Sequence, residues 1–228
     1  MIFRQLFDSV SSTYTYIIAD SRACEAVIID PVKEKVEQYV KLLTELDLRL
    51  VIALDTHTHA DHVTATGHLR QRTQCRIMMG ERTKAECVDV KIKEGETIKI
   101  GQQVLTAIYT PGHTDDHYSY RTHDRVFTGD CLMIRTTGRT DVQNGDAYAE
   151  YDSLFNKLLQ LPEQTVVYPA HDYNGMLSST IAEEKRCNPR LQVKNAEQYA
   201  EIMMNLNLPK PKLIDIALPA NLMCGLDR

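Results

Sequence analysis

The stretch DTHTHADHVTA, residues 55–65, places three histidines and two aspartates within eleven positions of a chain that has only 8 His. Little in it is apolar enough to build a core. Imidazoles and carboxylates crowded this closely are the donors that hold divalent metals, which makes His57, His59, Asp61 and His62 candidate ligands. Three further segments end in side chains of the same kinds: PGH in His113, TGD in Asp130 and PAH in His171. Any one of these alone reads as a hydrogen-bonded loop histidine or a turn aspartate. The four together point to a metal site.

The elements around these residues explain how they could meet. LRLVIAL (48–54) is a continuous apolar run of strand length, and its C-terminal end delivers the histidine cluster. VLTAIYT (104–110) leads into His113, RVFTGD (125–130) ends in Asp130, and TVVYPAH (165–171) ends in His171. In sheets flanked by helices, ligands gather in the loops beyond strand ends. YTYIIAD (14–20), EAVIID (25–30), CRIMMG (75–80) and HYSYRT (117–122) read as further strands. KIKEGETIKIG (91–101) reads as a solvated strand–turn–strand hairpin about Gly95. Apolar residues at three-and-four spacing predict helices over 33–46 and 148–160, with others at about 178–186 and 195–205 before a Pro-containing tail. Strands and helices alternate from end to end without linker or repeat, so one α/β domain over residues 1–228 is expected.

Composition narrows the function classes. With 43% apolar and 25% charged residues the chain is an ordinary globular one, and a net charge of −5 leaves no footprint for nucleic acid. The longest clean apolar run, Leu50–Leu54, cannot span a bilayer. The first ten residues carry Arg4 and Asp8 and lack the features of a signal or transit segment. The six cysteines, Cys24, Cys75, Cys87, Cys131, Cys187 and Cys224, form no CxxC pair, so they read as reduced thiols of a cytoplasmic protein.

HTHADH (57–62), followed by PGH, TGD and PAH, resembles the metallo-β-lactamase superfamily over essentially the whole chain. The resemblance implies an αββα sandwich of two mixed sheets with helices outside. In the dinuclear hydrolases of that superfamily, the residues matching His57, His59 and His113 hold one metal. Those matching Asp61, His62 and His171 hold another, and the match to Asp130 bridges them. FTGDCLMIRTTGRTDVQ (127–143), YPAHDYNG (168–175), CNPRL (187–191) and NLNLPKPKLIDIALPAN (205–221) resemble one branch, the persulfide dioxygenases. That branch implies a single Fe(II) per chain on His57, His113 and Asp130, with Asp61, His62 and His171 left as an empty second site and His59 behind the ligands. It implies oxidation of glutathione persulfide by O₂ to sulfite and glutathione. Two imidazoles and one carboxylate on one face of iron leave positions for a persulfide sulfur and dioxygen, the arrangement of non-haem Fe(II) oxygenases.

Glutathione carries carboxylates, so a guanidinium near the metal is expected to bind it, and Arg139 is the first candidate. Its alternative is to hold its own loop by pairing with Asp141 or Asp146. Tyr173 could offer a hydroxyl to substrate, and Asn221 could line the pocket. Cys131 is expected to point away from the site by strand alternation, and His117 to pack or hydrogen-bond rather than ligate. TDDH (114–117) departs from the PG-type continuation of some superfamily members. His68 and His123 read as surface residues. A homodimer is plausible because relatives often associate. The main alternative activity is that of a glyoxalase II-like dinuclear hydrolase of glutathione thioesters, using a metal-bound hydroxide. GRTD, NLNLPKP and the short tail after His171 favour the dioxygenase. A non-catalytic metal-binding or interaction protein is the third reading.

Overall fold

Two six-stranded sheets face each other in this computed structural model, which describes residues 1–226. The last two residues of the expected 1–228 domain lie outside the described residues. The first sheet runs in chain order: β1 (Ile2–Asp8), β2 (Thr13–Asp20), β3 (Glu25–Ile29), β4 (Arg49–Leu54), β5 (Arg76–Gly80) and β6 (Val90–Ile92). Its first three strands pair antiparallel and the rest parallel. The second contains β7 (Thr97–Ile100), β8 (Gln103–Tyr109), β9 (Tyr118–Arg121), β10 (Arg125–Gly129), β13 (Val166–Pro169) and β14 (Ser179–Thr180). β10 and β13 are its parallel pair. A small ribbon, β11 (Leu132–Met133) and β12 (Thr136–Thr137), lies between those two in sequence.

Period-two alternation decides which side chains fill which layer. On β2, Tyr16 and Ile18 join the core between the sheets while Ile17 and Ala19 face outward. The outward face is covered by α1 (Val36–Glu45) and α2 (Thr66–Thr73), through Tyr39, Leu43 and Leu69. On the second sheet, Val126 and Val167 face outward against Leu154, Leu158, Ile181 and Tyr199. These come from the helical segment opened by α3 (Ala147–Asp152), from α4 (Ile181–Cys187) and from α5 (Ala196–Met204). A strand covered on both faces carries a near-continuous apolar run, as in Tyr16–Ala19 of β2 and Leu50–Leu54 of β4, which is why both read so plainly. The layers are those of the expected αββα sandwich.

Several elements differ from expectation. β1 was not anticipated; its residues are mostly half-buried, so no clean alternation marks it. The segment 91–101 is not a hairpin: β6 belongs to the first sheet and β7 to the second, so the chain crosses between layers at Gly95. Ile92, Ile98 and Ile100 are accordingly buried in the inter-sheet core rather than solvated. The helix expected over 148–160 is α-helical only to Asp152, then widens to a π turn and tightens to a 3₁₀ turn. The Pro-containing tail holds α6 (Ile214–Asn221), with Pro219 inside it. Cys87 and Cys224 form a disulfide, against the expectation of six thiols. Their separation of 137 residues has no framework signature, and only folding brings them together. Among the described residues no helix is long and apolar enough to cross a membrane.

Candidate metal centre

Strand ends from both sheets open onto one edge of the sandwich. Beyond β4, residues 55–65 form a loop built on buried acids. Asp30, just past β3, accepts from Thr56 N at 2.7 Å and Thr56 Oγ1 at 3.0 Å, and contacts His59 Nε2 at 3.1 Å. Asp55 accepts from Thr64 Oγ1 at 3.0 Å. Burial raises the Asp55 carboxyl to about 7 despite the opposing charge of His59. Each acid closes a turn of a loop that has almost no secondary structure of its own.

Asp30, Asp55 and His59 themselves form a group of possible ligands, and two further clusters lie beside it. His57, His113 and Asp130 bring ligand atoms within 4.8 Å of one another, as do His59, Asp61, His62 and His171. In the first, His113 Nδ1 donates to the Arg139 carbonyl at 2.8 Å. A carbonyl only accepts, so Nδ1 carries a proton, which leaves Nε2 as the ring's ligating atom, 3.6 Å from Asp130 Oδ2. Gly138 makes this approach possible, since a Cβ there would lie 2.8 Å from the His113 ring. The His57 imidazole is held well below its ordinary value, first by burial and then by the neighbouring imidazoles of His59 and His113. Neutral imidazole is the form that ligates metal.

His171 joins the clusters. Its Nδ1 lies 2.7 Å from Asp130 Oδ1 and its Nε2 2.8 Å from Asp61 Oδ2. Burial opposes a charge on this ring, but the two carboxylates hold it well above its ordinary value. Reciprocally, the Asp130 carboxyl, pushed up by burial, is pulled down to about 2 by His171. A proton between two carboxylates does the electrostatic work that a cation there would do. His59 Nδ1 and His62 Nε2 are buried with no hydrogen-bond partner, so two ring nitrogens remain free to meet a cation. The donor set and these orphaned atoms fit a metal site.

His59 divides its allegiance. Burial lowers it, yet Asp30 brings it up to about 9, and its Nε2 is engaged away from the clusters. Asp61 is 28% exposed at its side chain and marks the open side, where Tyr173 is 69% exposed with its ring parallel to that of His171, centroids 6.3 Å apart. Arg139 forms the pair read as its alternative: Nε and NH2 reach Asp141 at 2.6 and 2.7 Å, and NH1 reaches the Pro209 carbonyl at 2.6 Å. Its guanidinium is already committed, while its carbonyl orients His113. Asn221 corrects the pocket-lining expectation. Its Nδ2 donates to the His59 and His62 carbonyls at 2.8 and 2.9 Å, and its Oδ1 accepts from Thr64 N at 2.8 Å. No group of its amide is left to meet a substrate.

Cys131 is buried in the outer layer, away from the site as alternation requires. His123 is exposed, whereas His68 is half-buried with an unpartnered Nε2. Reading the sequence missed Asp30, Asp55 and Thr13. Asp30 closes EAVIID just as Asp130 closes RVFTGD, so the strand-end rule could have found it. Thr13 Oγ1 lies 3.2 Å from Asp61 Oδ2 and 3.1 Å from His171 Nε2, and nothing in its sequence setting signals this.

Residues 88–171 match the Metallo-beta-lactamase superfamily. The chain is 44% identical over 228 residues to the persulfide dioxygenase ETHE1, mitochondrial, of Mus musculus, with 99% of this chain and 89% of that protein covered. The crystal structure of ETHE1 from Myxococcus xanthus superposes with a TM-score of 0.97 at 54% identity, covering 99% of this chain and 100% of that one. A hydroxyacylglutathione hydrolase of Thermosynechococcus vestitus is more distant, at 31% identity over 207 residues, with 89% of this chain and 78% of that protein covered. The extent of these similarities, over the same strand ends that carry the histidines and aspartates, makes this chain a member of the persulfide dioxygenase family within the metallo-β-lactamase superfamily.

Proposed function

We propose that this chain is a persulfide dioxygenase that holds one Fe(II) on His57, His113 and Asp130 and oxidises glutathione persulfide. The outer sulfur is oxidised to sulfite, dioxygen is reduced, water supplies the remaining oxygen, and glutathione leaves as the thiol. The observation that carries this reading is the difference in what already engages the ligand atoms of the two adjoining clusters. The first offers two imidazoles, that of His57 held neutral by burial, and a carboxylate on one side. In the second, His171 is engaged by Asp130 and Asp61, and His59 by Asp30. Ferrous iron held by His57, His113 and Asp130 would supply the redox capacity that the oxidation needs.

The protein's own groups do the rest. The Arg139 carbonyl fixes the tautomer of His113, and His171 fixes the rotation of the Asp130 carboxylate. Asp61, half-buried at the mouth, and Thr13 hold the far side of His171. Tyr173 stands at the opening, where its hydroxyl can meet the substrate. Arg139 serves the substrate only if a glutathione carboxylate displaces Asp141. The four free thiols, Cys24, Cys75, Cys131 and Cys187, suit the cytoplasmic setting we assign, whereas the Cys87–Cys224 disulfide counts against it.

Thioester hydrolysis is the second reading, favoured by the second cluster and by the similarity to a hydroxyacylglutathione hydrolase. One pair of assays decides. Protein purified without oxygen and loaded with iron should consume O₂ in the presence of glutathione persulfide and leave a lactoyl-glutathione thioester intact. Thioester cleavage without O₂ uptake would overturn the dioxygenase reading.

A further inference from the structure

Behind the first cluster lies a histidine that neither cluster uses. His117, in the TDDH segment that departs from the PG-type continuation, is fully buried where the chain enters β9. Its ring stacks on that of His57, with centroids 5.0 Å apart and planes inclined by 26°. Its Nε2 lies 3.1 Å from the backbone nitrogen of Asp130, and its Nδ1 lies 2.9 Å from Thr110 Oγ1. Thr110 Oγ1 is in turn 2.9 Å from Ser119 Oγ.

The chemistry of these partners fixes the proton. A backbone amide can only donate, so Nε2 must present its lone pair to Asp130. In the neutral ring the proton then sits on Nδ1 and is donated to Thr110, whose own hydroxyl can pass to Ser119. The neighbouring backbone leaves no slack. Gly129 has φ +53°, and a Cβ there would lie 2.3 Å from His117 Nε2 and 2.9 Å from Thr56 Oγ1. Asp116 ties the same segment to the histidine loop, accepting from Thr58 N at 3.2 Å and from Thr58 Oγ1 at 2.5 Å. Its other oxygen accepts from Thr114 Oγ1 at 2.7 Å.

We propose that His117 is a positioning residue for the metal site: as the Nδ1–H tautomer it accepts the Asp130 amide and backs the His57 ring, fixing one carboxylate and one imidazole of the tripod. The inference rests on the reading above only in taking Asp130 and His57 as ligands. It holds for a dioxygenase and a hydrolase alike, so it is tested without turnover.

Two measurements test it. In ¹⁵N-histidine-labelled full-length protein, His117 should show a protonated Nδ1 and a bare Nε2, with coupling through the hydrogen bond to the Asp130 amide; an Nε2–H tautomer would overturn the proposal. Co(II) binding should then be followed by calorimetry and visible absorption in His117→Phe and His117→Gln. Phenylalanine keeps the ring stack and removes the acceptor, and it should weaken Co(II) binding by roughly ten- to a hundredfold and alter the absorption bands. Glutamine, whose Oε1 reaches the place of Nε2 but which lacks the ring, should recover most of the affinity and the bands lost in the Phe variant. His117→Asn, whose shorter amide cannot reach Asp130, replaces the Phe variant if that one fails to fold. Wild-type affinity in Phe or Asn, or a Gln variant as weak as Phe, would sink the proposal. An Nε2–H tautomer with normal Co(II) binding would overturn this proposal alone, whereas a wild-type protein that bound no Co(II) would overturn the metal-site reading and the proposal with it.

Discussion

His57, His113 and Asp130 differ from Asp61 and His171 in what already occupies them. The first three point ligand atoms toward one another. His171, by contrast, has both nitrogens on carboxylates. Replacing His57, His113 or Asp130 with Ala should therefore abolish iron retention, while Asp61→Ala and His171→Ala should keep substantial iron and lose activity through misorientation. Metal analysis of protein purified anaerobically checks this, and equal loss in both sets would indicate a dinuclear centre. Asp55 carries a different signature. Its folded value, about 7, lies above its ordinary one, so the folded protein binds the extra proton between about pH 4 and pH 7. That contribution is present below the ordinary carboxylate value and fades as pH rises through 7. Asp55→Asn keeps an acceptor for Thr64 and removes the titration. The stability of the variant relative to wild type should thus climb between pH 4 and pH 7, as read by urea denaturation. The metal-type residues were legible in the sequence because imidazole and carboxylate have few other reasons to crowd a loop. Asp30 and Thr13 were not, because a single aspartate or threonine has many.

Elements were legible where two layers cover them. β2 and β4 are apolar over Tyr16–Ala19 and Leu50–Leu54, and the ends of β4, β10 and β13 were placed within a residue or two. β1 and α2 escaped because one lacks alternation and the other, polar at most positions of Thr66–Thr73, lacks an apolar stripe. The 91–101 segment misled because a glycine turn between two alternating runs describes a hairpin and a crossover equally well. α6 was hidden by Pro219, although it delivers Asn221 to the histidine loop. Asn221→Ala should leave the His59 and His62 carbonyls and the Thr64 amide without their partner. Each buried orphan costs on the order of 1–3 kcal/mol, so the variant should unfold at clearly lower urea. An unchanged midpoint would mean that water replaces the amide.

At the scale of the whole molecule, Cys87–Cys224 links the segment after β5 to the chain just past α6 and closes a loop of 137 residues. Loop-closure entropy for so long a loop is about 4–5 kcal/mol, before any strain is subtracted. Adding a dithiol reductant, or substituting Cys87→Ser, should lower the urea midpoint to the same new value. A midpoint indifferent to reductant would mean that the cross-link does not form in solution. This link was illegible in the sequence because pairing at that distance is a property of the finished fold.

His57 descends from one sheet, and His113 and Asp130 from the other. An ion seated among them is therefore a rivet through both plates of the sandwich, gripping them at the rim where their own apolar filling gives way to loops. Chelation would do more than silence chemistry: it would let that rim gape, and amide exchange should quicken on both plates at once.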